Sequence, residues 1–353
     1  MTVLVTGGAG YIGSHMVLEL RDGGESVVVL DNLSTGFPWA VPDDVLLVVG
    51  DSGDRKLVAA LIREHRIDSI IHFAASTVVP ESVRAPLSYY RNNTVNSRAL
   101  IESAVEGGVR HFIFSSTAAV YGNPRQVPVA EDAPTLPISP YGWSKLMSEI
   151  MLRDAGNAHD LRHVILRYFN VAGADPQGRS GQSSKAATHL IKVAVEAAVG
   201  LRDRIDVFGA DYPTPDGTCI RDYIHVADLV RAHADALRYL RAGGASVTLN
   251  CGYGRGFSVL EVIEVVKRVS GVDFKVEIGP RRPGDPAQIV AVSEAARATL
   301  GWTPRFDHLP TIVGHALAWE RALKARATTP ADEGGAAGRG KAPVAAAGRA
   351  KPR

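Results

Sequence analysis

The most constraining stretch of this chain is Gly7-Gly8-Ala9-Gly10-Tyr11-Ile12-Gly13, set between the apolar, β-branched run Thr2-Val3-Leu4-Val5-Thr6 and a segment with helical apolar spacing. Glycines at such a junction allow a tight turn, close approach of backbone N–H groups to a pyrophosphate, and close packing of helix on strand. The helix N-terminus adds positive potential. Any tight strand–helix turn favours glycine, so context decides the meaning. Asp31 ends the second expected strand, 18 residues after Gly13, where an acid accepts hydrogen bonds from an adenosine ribose and repels a 2′-phosphate. That favours NAD over NADP, although an aspartate capping an ordinary turn at Asp31-Asn32-Leu33-Ser34 gives the same local pattern.

The first third of the chain repeats this alternation. Apolar runs at 3–6, 26–31, 45–49, 69–74 and 111–115 alternate with helical spacing at 13–23, 56–65, 93–107 and 140–156, with Gly23 and Gly107 as helix stops. This is the signature of βαβ units, and runs so continuously apolar predict strands buried on both faces. The expected fold is α/β: a Rossmann-like doubly wound parallel sheet over 1–170, with a smaller C-terminal α/β substrate lobe over 171–326. Returns of the chain to the sheet are expected at 164–168 and 248–251. Residues 327–353 are mostly Ala, Gly, Pro and basic residues, a composition too poor in apolar surface to offset ordering entropy, and predict a disordered tail.

Composition narrows the function classes. The apolar fraction is 46%, enough for a core, yet no run approaches the ~18 apolar residues needed to span a bilayer. The net charge of +2 does not suggest a nucleic-acid binder, and the tail itself carries a net +3 through Arg339, Lys341, Arg349, Lys351 and Arg353 against Asp332 and Glu333. Cys219 and Cys251 lack the partners and spacing of a zinc site or disulfide scaffold, so no metal is expected and both are expected as small buried residues. Met1 leads straight into the first strand with no secretory signal pattern, which makes the cytoplasm the expected location.

The chemistry is expected at Tyr141-Gly142-Trp143-Ser144-Lys145, at the start of a helix after Pro140. The spacing puts phenol and ammonium on one face. A nearby ammonium stabilises phenolate, lowering the tyrosine pKa so that it can take a proton from a hydroxyl as a hydride leaves carbon. Ser115-Ser116-Thr117, ending the fifth strand, would bring a hydroxyl to the same crevice. By itself the Tyr–Lys pair could be a solvated helix face. Glycine loop, acid, strand-end hydroxyl and Tyr–Lys pair, however, occur in the order a short-chain oxidoreductase requires.

The chain resembles the extended short-chain dehydrogenase/reductases and, more closely, the UDP-glucose 4-epimerases among them. The stretches that carry the resemblance are VTGGAGYIGSH, DNLSTG, IIHFAAS, PESV, NNTVNS, FSSTAAVYG, SPYGWSK, LRYFNVAGA, DYPTPDGTCIRDYIHVADL and RRPGD, spread from residue 5 to about 285. RYFNVAGA, DGTCIRDYIHV and RRPGD are far more specific than the glycine loop. The resemblance implies tightly held NAD, a UDP-hexose site between two lobes, and a homodimer formed by helices of the NAD-binding lobe; charge and hydropathy are what speak against a nucleic-acid or membrane partner.

Carried over residue by residue, it makes Tyr141 the base, Lys145 the residue that tunes it and holds the nicotinamide ribose, and Thr117 the hydroxyl bridging substrate and tyrosine. Gly7, Gly10, Tyr11, Ile12, Gly13, Asp31, Asn32, Leu33, Ser34, Thr35 and Gly36 would line NAD, with Asp51, Ser52, Phe73, Ala74, Ala75, Ser76, Thr77, Asn92 and Phe169. Asn170, His189, Leu190, Asp206, Val207, Phe208, Arg221, Arg282, Pro283, Gly284, Asp285 and Ile289 would hold the UDP-sugar. Guanidinium forks at Arg221 and Arg282 suit a diphosphate, with Asp222 and Asp285 either orienting them or forming plain surface salt bridges.

Three departures matter. Thr77 stands where many members carry a lysine, His189 where an asparagine is common, and Ile289 near the position that limits space at the sugar C2 substituent. Reversible 4-epimerisation of UDP-glucose and UDP-galactose is therefore the leading expectation. Epimerases of UDP-N-acetylglucosamine or UDP-glucuronate are the nearest alternatives. Dehydratases and decarboxylases commonly carry acids just after the strand-end threonine, where this chain has Ala118 and Ala119. A noncatalytic NAD sensor would not need Tyr141, Lys145 and Thr117 together.

Overall fold

The computed structural model describes residues 1–184, 187–282 and 285–328. The elements run β1 Thr2–Thr6, α1 Tyr11–Asp22, β2 Ser26–Asp31, β3 Leu46–Val49, α2 Arg55–His65, β4 Ile67–His72, α3 Val79–Arg84 and α4 Pro86–Tyr89. A wider, π-type turn over Tyr90–Val95 leads into α5 Asn96–Glu106, followed by β5 His111–Thr117, α6 Pro140–Ala158, β6 Arg162–Tyr168 and β7 Asn170–Ala172. The remainder comprises α7 Leu190–Ala198, β8 Arg204–Phe208, β9 Ile220–His225, α8 Val226–Arg241, β10 Val247–Cys251, β11 Gly256–Ser258, α9 Val259–Ser270, β12 Lys275–Gly279, β13 Gln288–Ile289, α10 Glu294–Leu300 and α11 Leu309–Thr328.

Seven strands form one sheet in the order β10-β6-β5-β4-β1-β2-β3, with every pairing parallel. The order reverses between β1 and β4, and in such sheets the crevice at the carboxyl ends of the strands beside that point takes the ligand. Alternate side chains of β1 divide the core. Val3 and Val5 pack with Met16 and Val17 of α1 and Leu229 and Ala236 of α8, whereas Leu4 packs with Leu61 of α2, Leu100 of α5 and Leu152 of α6. Val247–Cys251 returns to pair with β6. In the second lobe β9 pairs with β7, β11 and β13, β8 pairs with β12, and α7, α9 and α11 pack together.

Glycines 23 and 107 follow α1 and α5 as stops. Three local expectations are corrected. β3 is not buried on both faces: it is the sheet's edge, leaving Leu46 and Val49 42% and 53% exposed. β4 ends at His72, so Phe73 and Ala74 form the turn beyond it, with the Phe73 N–H donating to the Thr6 carbonyl (3.0 Å). β5 continues to Thr117 because its pairing with β6 does. The expected tail begins two residues too early, since α11 runs to Thr328; residues 329–353 lie outside the described residues.

Candidate active site

One cavity of about 670 Å³ runs from the glycine turn to the second lobe, within the size range of small-molecule sites. Gly7, Gly10, Tyr11, Ile12 and Gly13 line its near end at the head of α1. Close packing explains the glycines: a Cβ at Gly7 would approach the Ala74 N–H to 2.6 Å, and one at Gly13 would run into the Gly7 carbonyl. Asp31 accepts from the Ala9 N–H (2.9 Å) and the Leu33 N–H (2.8 Å). Its carboxylate thus shapes the glycine turn and the next loop while facing the cavity beside Asn32, Ser34 and Thr35. Asp51 and Ser52 line the wall after β3, with Asp51 accepting from Gly53 N–H and Asn96 Nδ2.

Phe73, Ala74, Ala75, Thr77, Asn92 and Phe169 also face the cavity, but three expected cofactor residues do not. Leu33 sits at a positive φ of 58° and packs its side chain toward the core. Gly36 backs onto Ala9, whose Cβ a side chain there would meet at 2.9 Å. The Ser76 hydroxyl accepts from Asn92 Nδ2 (3.0 Å), while its backbone is held at both ends by Asn93. These three support the wall from behind.

Ser139 caps α6 by accepting from the Gly142 N–H (3.2 Å), with Pro140 in the first turn. Gly142 lets the helix approach Ala119, whose carbonyl a Cβ would meet at 2.7 Å. This sets Tyr141 on the cavity wall together with Thr117. Lys145, one turn later and buried, donates to the Ser115 carbonyl (2.8 Å) and lies over the Phe114 ring.

The expected lowering of the Tyr141 pKa by Lys145 is not what the fold produces. Burial pushes the phenol above its ordinary value, and the Thr117 hydrogen bond opposes that push. Lys145 is the group moved toward neutrality, to about 7, by desolvation, with Glu149 opposing. A low-dielectric wall penalises both charged forms.

At the far end, Asn170, His189, Leu190, Asp206, Val207, Phe208, Arg221, Arg282, Asp285 and Ile289 face the same cavity; Pro283 and Gly284 lie outside the described residues. His189 pairs through Nδ1 with Gln182 (2.9 Å), and burial holds its pKa down. Arg282 donates to Asp285 (2.9 Å) and lies over the Phe208 ring. Asp222 does not orient Arg221. It is fully buried and accepts from the N–H groups of Tyr253, Gly254 and Ala291, while Arg221 donates to the Ile220 carbonyl. Adjacent strand residues point to opposite faces, which separates the two.

Sequence reasoning missed Tyr168, whose hydroxyl contacts Ser115 at the cavity floor, and Gln182 beside His189. It also missed Glu149, four residues past Lys145 on the same helix face, a spacing that could have signalled it. Cys219 and Cys251 are buried free thiols. Among the described residues there is no cluster fit to hold a metal ion, and no helix is long and apolar enough to cross a membrane.

The sequence model of the NAD dependent epimerase/dehydratase family matches residues 3–252. The chain is 57% identical to a UDP-glucose 4-epimerase of Azospirillum brasilense over 337 residues, covering 96% of this chain and 97% of that protein. The crystal structure of UDP-glucose 4-epimerase from Bifidobacterium longum in complex with NAD+ and UDP superposes with a TM-score of 0.87 at 37% identity, over 92% of this chain and 99% of that one. The UDP-Glc/GlcNAc 4-epimerase of Campylobacter jejuni superposes with a TM-score of 0.80 at 50% identity, over 91% and 99%. With its sheet order, glycine turn and Tyr–Lys helix in agreement with that likeness, this chain belongs to the NAD-dependent epimerase/dehydratase family.

Proposed function

We propose that this protein interconverts UDP-glucose and UDP-galactose by reversible inversion at C4 of the hexose, using tightly held NAD. The observation that carries this is Tyr141 and Thr117 lining one wall with Lys145 one helical turn away, midway along a cavity with the glycine turn at one end and Arg221 and Arg282 at the other. The glycine turn fits a pyrophosphate, since it has no room for Cβ atoms and opens onto the head of α1. Asp31 faces the ribose position. When bound, NAD supplies a hydride acceptor and donor beside the sugar.

The chain's own residues supply the rest. Tyr141 takes the proton of the sugar 4-hydroxyl as its C–H bond is oxidised, and returns a proton when the 4-keto sugar is reduced on its opposite face. Thr117 holds the phenol in line and steadies the charge that develops there. Lys145 would meet the nicotinamide ribose, and only in its protonated form favours the phenolate. Arg221 and Arg282 hold the diphosphate while the hexose turns. Ala118 and Ala119 face the cavity where a dehydratase would need a proton-transferring side chain. Ile289, buried in the cavity wall, bears on the sugar C2 substituent and keeps UDP-N-acetylglucosamine as the second candidate substrate.

A homodimer completes this proposal. Trp143, Met147 and Ile150 form an exposed stripe along α6 beside Val83 and Leu87, the last 79% exposed, an apolar face suited to a second copy. Two buried free thiols accord with the cytoplasm. The deciding assay incubates purified protein with UDP-galactose, without added NAD. UDP-glucose should form, and Tyr141→Phe should keep NAD while losing nearly all turnover. Near-normal turnover by Tyr141→Phe would remove Tyr141 as the base, and a dehydrated 4-keto product would replace epimerisation with dehydration.

A further inference from the structure

Glu149 lies on α6 one turn beyond Lys145 and two beyond Tyr141, and is fully buried. Arg167 of β6 grips it with two donors, Nε to Oε1 at 3.0 Å and Nη2 to Oε2 at 2.6 Å. The Ser116 hydroxyl also donates to Oε1. Ser116 stands between Ser115, whose carbonyl accepts from Lys145, and Thr117, which lines the cavity with Tyr141. Arg167 reaches on to the Tyr121 hydroxyl (3.0 Å), which donates to Asn250 of β10 (2.7 Å). One carboxylate therefore joins the catalytic helix, the strand end facing it and the next two strands of the sheet.

An ion pair is a costly way to tie a helix to a strand, because desolvating two charges commonly offsets their attraction and well-packed apolar residues would serve as well. What apolar residues could not supply is the Glu149 carboxylate itself, one helical turn from Lys145, whose charge opposes the desolvation of that lysine. We propose that Glu149 is a positioning residue for the reaction, holding the end of β5 and the charge of Lys145 in register with Tyr141. This rests on the Tyr141–Lys145 reading given above.

The other titratable groups around Lys145 and its helix are Tyr141 on α6, His72 on β4, Tyr168 and Arg167 on β6, Tyr121 after β5, and the Tyr89–Glu81 pair from α4 and α3. Burial keeps His72 neutral, down to about 3, with Lys145 adding to the shift. It pushes the tyrosines up. Glu149 is the charge that opposes the desolvation of Lys145.

The test is the pH profile of kcat for the NAD-containing enzyme carrying Glu149→Gln. Loss of the carboxylate should move the high-pH limb down by about one pH unit, lower kcat roughly tenfold, and leave KM for UDP-galactose near its original value. Glu149→Asp, which keeps the charge, should restore the limb. If Glu149→Gln does not fold, Glu149→Gln with Arg167→Gln removes both charges and should show the same shift, reduced because the positive charge of Arg167 is lost as well. A limb that stays in place in either folded variant, with only lower kcat or lower Tm, overturns the proposal and leaves a structural ion pair. That outcome is distinct from turnover by Tyr141→Phe, which would overturn the underlying assignment of the base.

Discussion

Trp39, in the loop after β2, meets Trp319 of α11 across the two lobes, with ring centroids 6.3 Å apart and planes inclined by 30°. Phe37 stacks on Trp39 at 5.1 Å and donates its N–H to the carbonyl of Ala9 in the glycine turn (2.9 Å). Trp319 donates to the Ser183 hydroxyl (3.2 Å), next to the Gln182 that bonds His189. An aromatic bridge thus connects the glycine turn to the far end of the cavity. Such a pair contributes about 1 kcal/mol, so Trp39→Ala should lower Tm by about 2 °C. Calorimetry of the two proteins side by side checks this, and an unchanged Tm would show that the rings carry no net stabilisation.

Gly13→Ala should produce protein depleted of NAD. The added Cβ would run into the Gly7 carbonyl and come within 2.8 Å of the Gly8 Cα. Relieving that contact shifts the backbone of the turn, a rearrangement costing about 1–3 kcal/mol. Nucleotide released by acid and measured by absorbance against protein concentration gives the occupancy.

Lys145→Met should change how stability responds to alkali. The ammonium loses solvation in the fold, so its folded pKa of about 7 lies below the unfolded 10.5. Between those values the unfolded chain binds more protons, and wild-type stability gains from rising pH. The gain is complete above about 10.5 and lost as pH falls through 7. Because methionine does not titrate, the Tm of Lys145→Met relative to wild type should be highest below pH 7 and decline toward pH 10. A difference that is flat with pH would contradict the buried ammonium.

Met147→Glu should yield monomers if the α6 stripe is the dimer contact. Met147 is 38% exposed between Trp143 and Ile150, and a carboxylate there would face its own copy across a two-fold axis or lie buried without a partner. Sedimentation velocity distinguishes the states. A dimer retained by the variant would move the contact elsewhere.

The fold was largely legible because its signals are local. Apolar runs, helix stops and the glycine turn each reflect the backbone and side-chain preferences of a few neighbouring residues, and they give the βαβ alternation without reference to the rest of the chain. Edge position is a different property. Leu46-Leu47-Val48-Val49 is as apolar as a central strand, and only the lack of a further partner leaves it half exposed. Within the site, Leu33, Gly36 and Ser76 illustrate the same limit, since a motif residue beside a cavity and one supporting its wall from behind belong to the same short string.

By itself the sequence determined the doubly wound class, the glycine turn followed by Asp31 at the end of the second strand, and the placing of Tyr141 and Lys145 on one face of a helix, because their spacing is enough to put them there. The tertiary structure decided which groups lie around that pair. It turned Asp222 away from Arg221, set the Glu149–Arg167 pair one turn beyond Lys145, and withdrew enough solvent from Tyr141 to raise its pKa. Charge state in a protein wall depends on solvent access and on partners from distant strands, and both arise only when the sheet and helices close around the site.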